Sequence, residues 1–248
     1  DRVWLAAGMS AREPAAILRS TDRGRSWTAF KTPFRMGGNE DGRGMGERLA
    51  VDPANPDRLF YGSRHDGLWR SDDAGASWTK VAGFPWPGLG TPAERQPTHG
   101  GVSFVLFAGP MMFAGVTDPG APRLLRSDDG GLVWTVVEGG PPADLLPVKA
   151  AADASGRLFV AYSDAIGPNG ITQGAVWRLA AKGWADITPQ RSGGAGYMGL
   201  SLGAGQLVAV GTVGRWQPGD TVWLSRDGGD SWEDLDKRSR RDVATVQF

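Results

Sequence analysis

At 248 residues, with 27 basic and 27 acidic side chains and a formal net charge of zero, the chain offers no bulk electrostatic attraction to nucleic acid or to an anionic membrane. It has no cysteine, which excludes a disulfide scaffold and thiolate metal sites but leaves the compartment open. The longest apolar stretch, residues 104–116, is too short to span a bilayer and is broken by Gly109 and Pro110.

In chain order, residues 2–8, 16–21 and 26–31 read as three short strands. A glycine-rich and charged run follows from Gly37 to Arg48, too polar for a strand and long enough for a loop on a rigid scaffold. Four strands are then expected at 47–52, 57–63, 67–72 and 77–82, with Asp52-Pro53-Ala54-Asn55-Pro56 turning between the first two. Four more are expected at 102–109, 111–118, 123–128 and 132–138. A further unit carries the strand-like 175–179 and Trp184, and residues 242–248 form a last strand with no hairpin partner after it. No segment has helical periodicity beyond a turn or two.

One pattern punctuates these strands: Ser-x-Asp-x-Gly-x-x-Trp, the Asp box. It occurs at Ser20-Asp22-Gly24-Trp27, Ser71-Asp73-Gly75-Trp78, Ser127-Asp129-Gly131-Trp134 and Ser225-Asp227-Gly229-Trp232. Trp27, Trp78 and Trp134 stand 51 and 56 positions apart, and Trp184 lies midway across the 98 positions from Trp134 to Trp232. A period of about 50 residues with four short strands each defines propeller blades. The fold class is therefore all-β, a β-propeller of four-stranded antiparallel blades with Asp-box (BNR-type) repeats. Its blades lie near 1–35, 45–85, 100–140, 147–190 and 196–236, with a tail strand at 242–248. The first unit is one strand short, its opening strand being expected before Asp1. Either the tail strand closes the ring or the chain, which opens on Asp1 rather than Met and carries no signal peptide, is a segment of a larger propeller.

Four aspartates at matched positions imitate a catalytic or calcium cluster. The repeat argues otherwise, because one carboxylate per blade never converges with its copies. Each is expected to accept hydrogen bonds from its own turn, while the glycine takes a positive φ and the tryptophan folds under the turn between neighbouring sheets. Asp22, Asp73, Asp129 and Asp227, with Trp27, Trp78, Trp134 and Trp232, thus read as structural.

A more specific signal lies between the first two boxes. The run Met36-Gly37-Gly38-Asn39-Glu40-Asp41-Gly42-Arg43-Gly44-Met45-Gly46-Glu47-Arg48-Leu49-Ala50-Val51-Asp52-Pro53 closely resembles glycoside hydrolase family 74, the xyloglucanases and related endo-β-1,4-glucanases. The likeness continues through Tyr162-Ser163-Asp164, Gly167-Pro168-Asn169-Gly170 and Trp184-Ala185-Asp186, and ends on Arg215-Trp216-Gln217-Pro218. It implies two seven-bladed propellers facing across a glycan cleft, with inverting hydrolysis by one aspartate from each. Inversion needs carboxyls about 6.5–9.5 Å apart, leaving room for a water. In the family both aspartates sit in Asp-x-Gly-Gly outside the boxes. Here Asp128-Asp129-Gly130-Gly131 and Asp227-Gly228-Gly229 belong to boxes, so both catalytic acids are expected outside this chain, which alone is expected to be inactive. The resemblance also implies a secreted or periplasmic enzyme.

Candidate ligand contacts are the irregular residues. Asn39 and Arg43 are expected to meet sugar hydroxyls, whereas Glu47 and Arg48 fit an internal network. Arg64 and His65, at a strand end, either border the cleft or form a surface turn. Trp216 offers a flat face for a glucose ring, and Gln217 stands where the family often has a second tryptophan. Trp86, in Phe84-Pro85-Trp86-Pro87-Gly88, is a further candidate of that kind. His65 and His99 are the only histidines and lack metal-ligand spacing, so no metal or cofactor is expected. The expected partners are a polysaccharide and a second propeller of the same parent protein. The alternative is a non-catalytic Asp-box propeller that binds glycan or protein. A sialidase-like enzyme fits less well, having no matching arginine cluster or tyrosine motif.

Overall fold

Alternating Val, Leu, Phe and Tyr between Gly-, Pro- and Asp-rich turns favours short paired strands over helices. In the computed structural model, residues 2–9, 14–40, 42–88, 99–167, 170–189, 195–214 and 221–235 are described, the side chains of 213 and 214 excepted. Among the described residues all nineteen elements are β-strands. Asp41, Asn169, Trp216 and the expected strand at 242–248 lie outside the described residues.

The strands pair with their sequence neighbours into five antiparallel meanders. The first sheet holds three strands, β1 (Val3–Ala7), β2 (Ala16–Ser20) and β3 (Thr28–Lys31). The second runs β4 (Leu49–Val51), β5 (Leu59–Ser63), β6 (Gly67–Ser71) and β7 (Thr79–Lys80). The third is β8 (Val102–Ala108), β9 (Met111–Val116), β10 (Leu124–Ser127) and β11 (Thr135–Val136). The fourth is β12 (Leu146–Ala152), β13 (Leu158–Ser163), β14 (Gly174–Ala180) and β15 (Gly183–Asp186). The fifth is β16 (Ala195–Gly203), β17 (Leu207–Gly214), β18 (Val222–Ser225) and β19 (Glu233–Asp234). Successive sheets meet through β4, β8, β12 and β16, so the first strand of each four-stranded sheet lies at the hub. This is a β-propeller.

Core packing follows from that arrangement. The second strands β5 and β13 are buried along their whole length, because sheets cover both faces. Phe60, Met112 and Leu125 pack between the second and third sheets, while Phe159, Val176 and Tyr197 pack between the fourth and fifth. The outermost strands are shorter than the sequence predicts, two residues in β7, β11 and β19. Residues such as Ser77 and Val133 are drawn into the turn by an aspartate instead of extending the ladder.

The Ser-Asp-Gly-Trp turn joins the third and fourth strands of three sheets and joins β2 to β3 in the first. By that marker β1 corresponds to β5 and β9, and it is the hub-side edge of its sheet. Its burial differs accordingly: Leu5 is 51 % exposed, whereas Tyr61 in β5 is 3 %. The fourth sheet makes the same connection by the two-residue turn Ala181-Lys182 between paired Ala180 and Gly183. Trp184 still packs against the third sheet, its Nε1 donating to the Glu138 carbonyl at 3.0 Å.

Candidate functional site

The four repeated aspartates are consumed by their own turns. In the second sheet, Ser71 Oγ donates to Asp73 Oδ1 at 2.8 Å and accepts the Gly75 N–H at 2.8 Å, while Ser77 N–H reaches Asp73 at 2.8 Å. The pattern repeats at Ser20–Asp22, Ser127–Asp129 and Ser225–Asp227. Hydrogen bonds from the Ser26 side chain and backbone, then from Ser20, hold the Asp22 carboxyl down at about 2. Burial raises Asp73, but bonds from Ser77 and Ser71 outweigh it and leave that carboxyl low. The Val133 N–H leads in lowering Asp129, and the Ser231 hydroxyl does so for Asp227. Such acids neither shuttle protons near neutrality nor converge.

The paired tryptophans donate to their turn glycines, Trp27 to Gly24, Trp78 to Gly75 and Trp134 to Gly131, at 3.0–3.1 Å. Trp78 and Trp134 are buried, and each turn lies on the sheet before it. A Cβ on Gly75 would stand 3.2 Å from Ile17, and one on Gly131 would stand 2.7 Å from the Phe60 ring. Trp232 departs by donating to Ile187 of the fourth sheet, at 2.7 Å. Trp27 is 38 % exposed, contrary to the expectation that every such ring fills an inter-sheet space. Its sheet is the first, and no described sheet precedes it.

The loop from Gly37 to Arg48 occupies the hub. It begins beside β1, where Gly38 and Asn39 N–H groups donate to the Gly8 and Met9 carbonyls. It ends among the inner strands, with Gly46 N–H on the Val148 carbonyl and the Glu47 carbonyl accepting from Val105. Met45 packs with Ile166, Leu146 and Met198 of the fourth and fifth sheets. Glycine is required where the path is tight: at Gly42, φ is +80°, and a Cβ would stand 3.1 Å from Ile166. The loop therefore ties four sheets together across the hub.

Glu40 pins this loop. Its carboxylate meets His65 Nε2 at 3.0 Å and Arg64 Nε at 3.3 Å. Arg64 and His65 are each 3 % exposed and form the floor on which the loop sits. Arg64 Nη2 also donates to the His99 carbonyl at 3.2 Å. Beside them Asp66 takes paired bonds from the Arg35 guanidinium and another from its N–H. Burial alone raises Asp66, but Arg35 reverses the sign and is itself raised.

Asn39 and Arg43 are exposed on the loop. Arg43, Arg48, Tyr61, Trp4 and Leu5 line a cleft of about 360 Å³ between β1 and the hub loop. Burial raises the Tyr61 hydroxyl, and the Arg48 and Arg64 charges oppose it. Glu47 is exposed and pairs with Lys149 at 3.2 Å. A second hollow, about 300 Å³, lies between the β12–β13 and β16–β17 turns. Its Arg157 is taken up by Asp153 and Gln206, which leaves little to orient a ligand. Among the described residues no three His, Asp or Glu side chains form a metal-holding group.

Sequence reasoning missed two features. One is Glu40 as anchor, which no spacing to Arg64 and His65 reveals. The other is a set of buried hydroxyls, Ser63, Thr117, Ser163 and Thr212, where the second strands end. Ser63 Oγ donates to the Arg35 carbonyl, and Ser163 Oγ bonds the Tyr197 backbone of the next sheet. The available signal was a small hydroxyl residue at or within two positions of the end of each apolar second strand.

The hub loop and the repeated turns define a β-propeller whose irregular residues gather at one end of the hub. No protein-family profile matches the chain. It is 40 % identical over 257 residues to a xyloglucanase of a Paenibacillus species, covering 94 % of this chain and 25 % of that protein. It is 36 % identical over 261 residues to a xyloglucanase of Acetivibrio thermocellus, covering 95 % and 31 %. The crystal structure of the family 74 xyloglucanase from Xanthomonas campestris superposes with a TM-score of 0.83 at 36 % identity, over 95 % of this chain and 36 % of that one. The chain belongs to glycoside hydrolase family 74. It spans between a quarter and a third of the length of these curated relatives.

Proposed function

We propose that this chain is part of the N-terminal propeller of a secreted, xyloglucan-degrading inverting glycoside hydrolase, and that it supplies scaffold and one wall of the glycan cleft. The observation that carries this reading is the hub loop: Asn39 and Arg43 stand exposed on a segment whose other residues are anchored by Glu40, Met45 and Gly46. Neutral sugars are recognised by a few fixed polar groups set on a rigid frame. The likeness to xyloglucanases along nearly the whole chain supports the same class of substrate.

The four repeated turns act as Asp boxes of the BNR type, and the catalytic carboxylates come from outside this chain. In support, Asp129 and Asp227, the aspartates with the nearest sequence context, are held within their turns. A second propeller of the same parent forms the opposite wall, and a further strand beside β1 completes the first blade of a seven-bladed ring. Trp216, outside the described residues, is a glucose-stacking contact. Arg64 and His65 serve the ligand indirectly, by fixing the loop that bears Asn39 and Arg43.

The test is paired. The full-length protein should release xyloglucan oligosaccharides with inverted anomeric configuration, read by proton NMR at early time, while the 248-residue chain releases none. Calorimetric titration of xyloglucan oligosaccharides should register weaker binding by about five- to tenfold for Asn39→Ala or Arg43→Ala, the worth of one or two hydrogen bonds. Turnover by the 248-residue chain itself would overturn the placement of the catalytic pair.

A further inference from the structure

The connection leaving β7 carries Phe84-Pro85-Trp86-Pro87-Gly88, which lies against the β5–β6 turn. A Cβ on Gly67 would stand 2.9 Å from the Pro87 carbonyl oxygen and 3.0 Å from that of Trp86. One on Gly88 would stand 2.6 Å from the His65 carbonyl carbon. His65 is the residue that holds Glu40, so Trp86 is seated beside the anchor of the hub loop, at the same end of the propeller.

Its indole is held unlike those of seven other tryptophans. Trp4, Trp27, Trp69, Trp78, Trp134, Trp184 and Trp232 donate their ring N–H to backbone carbonyls. Trp86 Nε1 instead donates to the Asp118 carboxylate, Oδ2, at 2.7 Å. Asp118 is fully buried, and its other oxygen accepts the Gly101 N–H at 2.8 Å. Arg123 closes the same turn by donating to the Thr117 and Asp118 carbonyls at 3.0 and 3.1 Å. The carboxylate is thus immobile, and a hydrogen bond to it is stronger and more directional than one to a neutral carbonyl.

The backbone is equally constrained. Prolines on both sides restrict the flanking dihedrals. Phe84 is buried edge-on against Trp134 with centroids 5.2 Å apart, and Lys80 Nζ donates to the Pro87 carbonyl at 2.9 Å. Yet Trp86 itself is only partly buried. Its N–H edge is turned onto a buried carboxylate and the side chain packs against the cluster of Phe84, Val102 and Trp134, so whatever ring surface stays open is carbon. A fixed indole with only carbon left to offer matches the apolar C–H face of a pyranose, which needs a flat partner and no hydrogen bond.

We propose that Trp86 is a sugar-stacking binding residue, a subsite for one pyranose unit of a neutral glycan, with Asp118 as the clamp that sets its orientation. The proposal rests on the carbohydrate reading of the hub face given above. It is tested in the full-length protein by calorimetric titration of xyloglucan oligosaccharides into the wild type, Trp86→Phe and Trp86→Leu, with a melting temperature for each. A packing role treats phenylalanine and leucine alike, whereas stacking separates them. Trp86→Leu is expected to weaken binding about tenfold, and Trp86→Phe to stay within about threefold of wild type. Equal affinities for wild type and Trp86→Leu, alongside weakened binding by Asn39→Ala or Arg43→Ala, would remove Trp86 from the site and leave the carbohydrate reading standing. No binding by the wild type would remove both.

Discussion

Ser71 makes three uses of one hydroxyl, donating to Asp73 and accepting from the Asp73 and Gly75 N–H groups. Alanine there leaves a buried glycine N–H without its acceptor, so Ser71→Ala should cost about 1–3 kcal/mol by denaturant unfolding. The aspartates add a pH dependence whose sign is fixed by their direction. All four are lowered relative to the unfolded chain, near 3.9. Their contribution is complete above that value and is lost as pH falls toward the folded value, about 2 for Asp22. The melting temperature should therefore hold from neutrality to about pH 4.5 and drop between about pH 4 and 2. Asp22→Asn combined with Asp227→Asn should flatten that drop. An unchanged acid limb would show that other carboxylates govern it.

At the scale of elements, two glycines of one sheet separate backbone conformation from packing. Gly131 has φ +88° and a Cβ there would lie 2.7 Å from the Phe60 ring, whereas Gly120, φ +74°, has nothing within 4 Å. Gly120→Ala should cost about 1–2 kcal/mol for the left-handed backbone alone. Gly131→Ala should cost about 1–3 kcal/mol more, because the ring must move in a closely packed core. The hub loop supplies a second prediction. Glu40→Ala leaves buried Arg64 and His65 without the carboxylate they face, and should cost about 3–5 kcal/mol. Hydrogen exchange should then quicken through residues 42–47, while β13 keeps its protection. The loop's irregular composition was legible in the sequence, but its path was not, since Glu40 and His65 are 25 positions apart and no periodicity links them.

Across the whole molecule, the uneven sheets set where stability is lowest. β1 carries exposed Val3 and Leu5 at 38 % and 51 %, while β5 and β13 are enclosed. In the 248-residue chain, amides of Val3–Ala7 should exchange well before those of Leu59–Ser63, and the difference should shrink in the full-length protein if a further strand covers β1. Leu132 and Val133 are about 60 % exposed at a turn position that other repeats fill with Arg-Ser, Ala-Ser and Asp-Ser. Nothing in the fold explains that apolar pair.

What the sequence by itself determined is the repeat. Strand alternation, turn glycines and the spacing of tryptophans are local signals, because each turn closes over eight residues and satisfies its own hydrogen bonds. The aspartates could be assigned to those turns without coordinates for the same reason. Tertiary structure alone decided what Arg64, His65 and Trp86 do. Their surroundings are assembled from Glu40 and Asp118, 24 to 32 residues away, and burial of the first two depends on a loop crossing the hub. A side chain's exposure is set by whatever packs against it, and sequence distance carries no record of that contact.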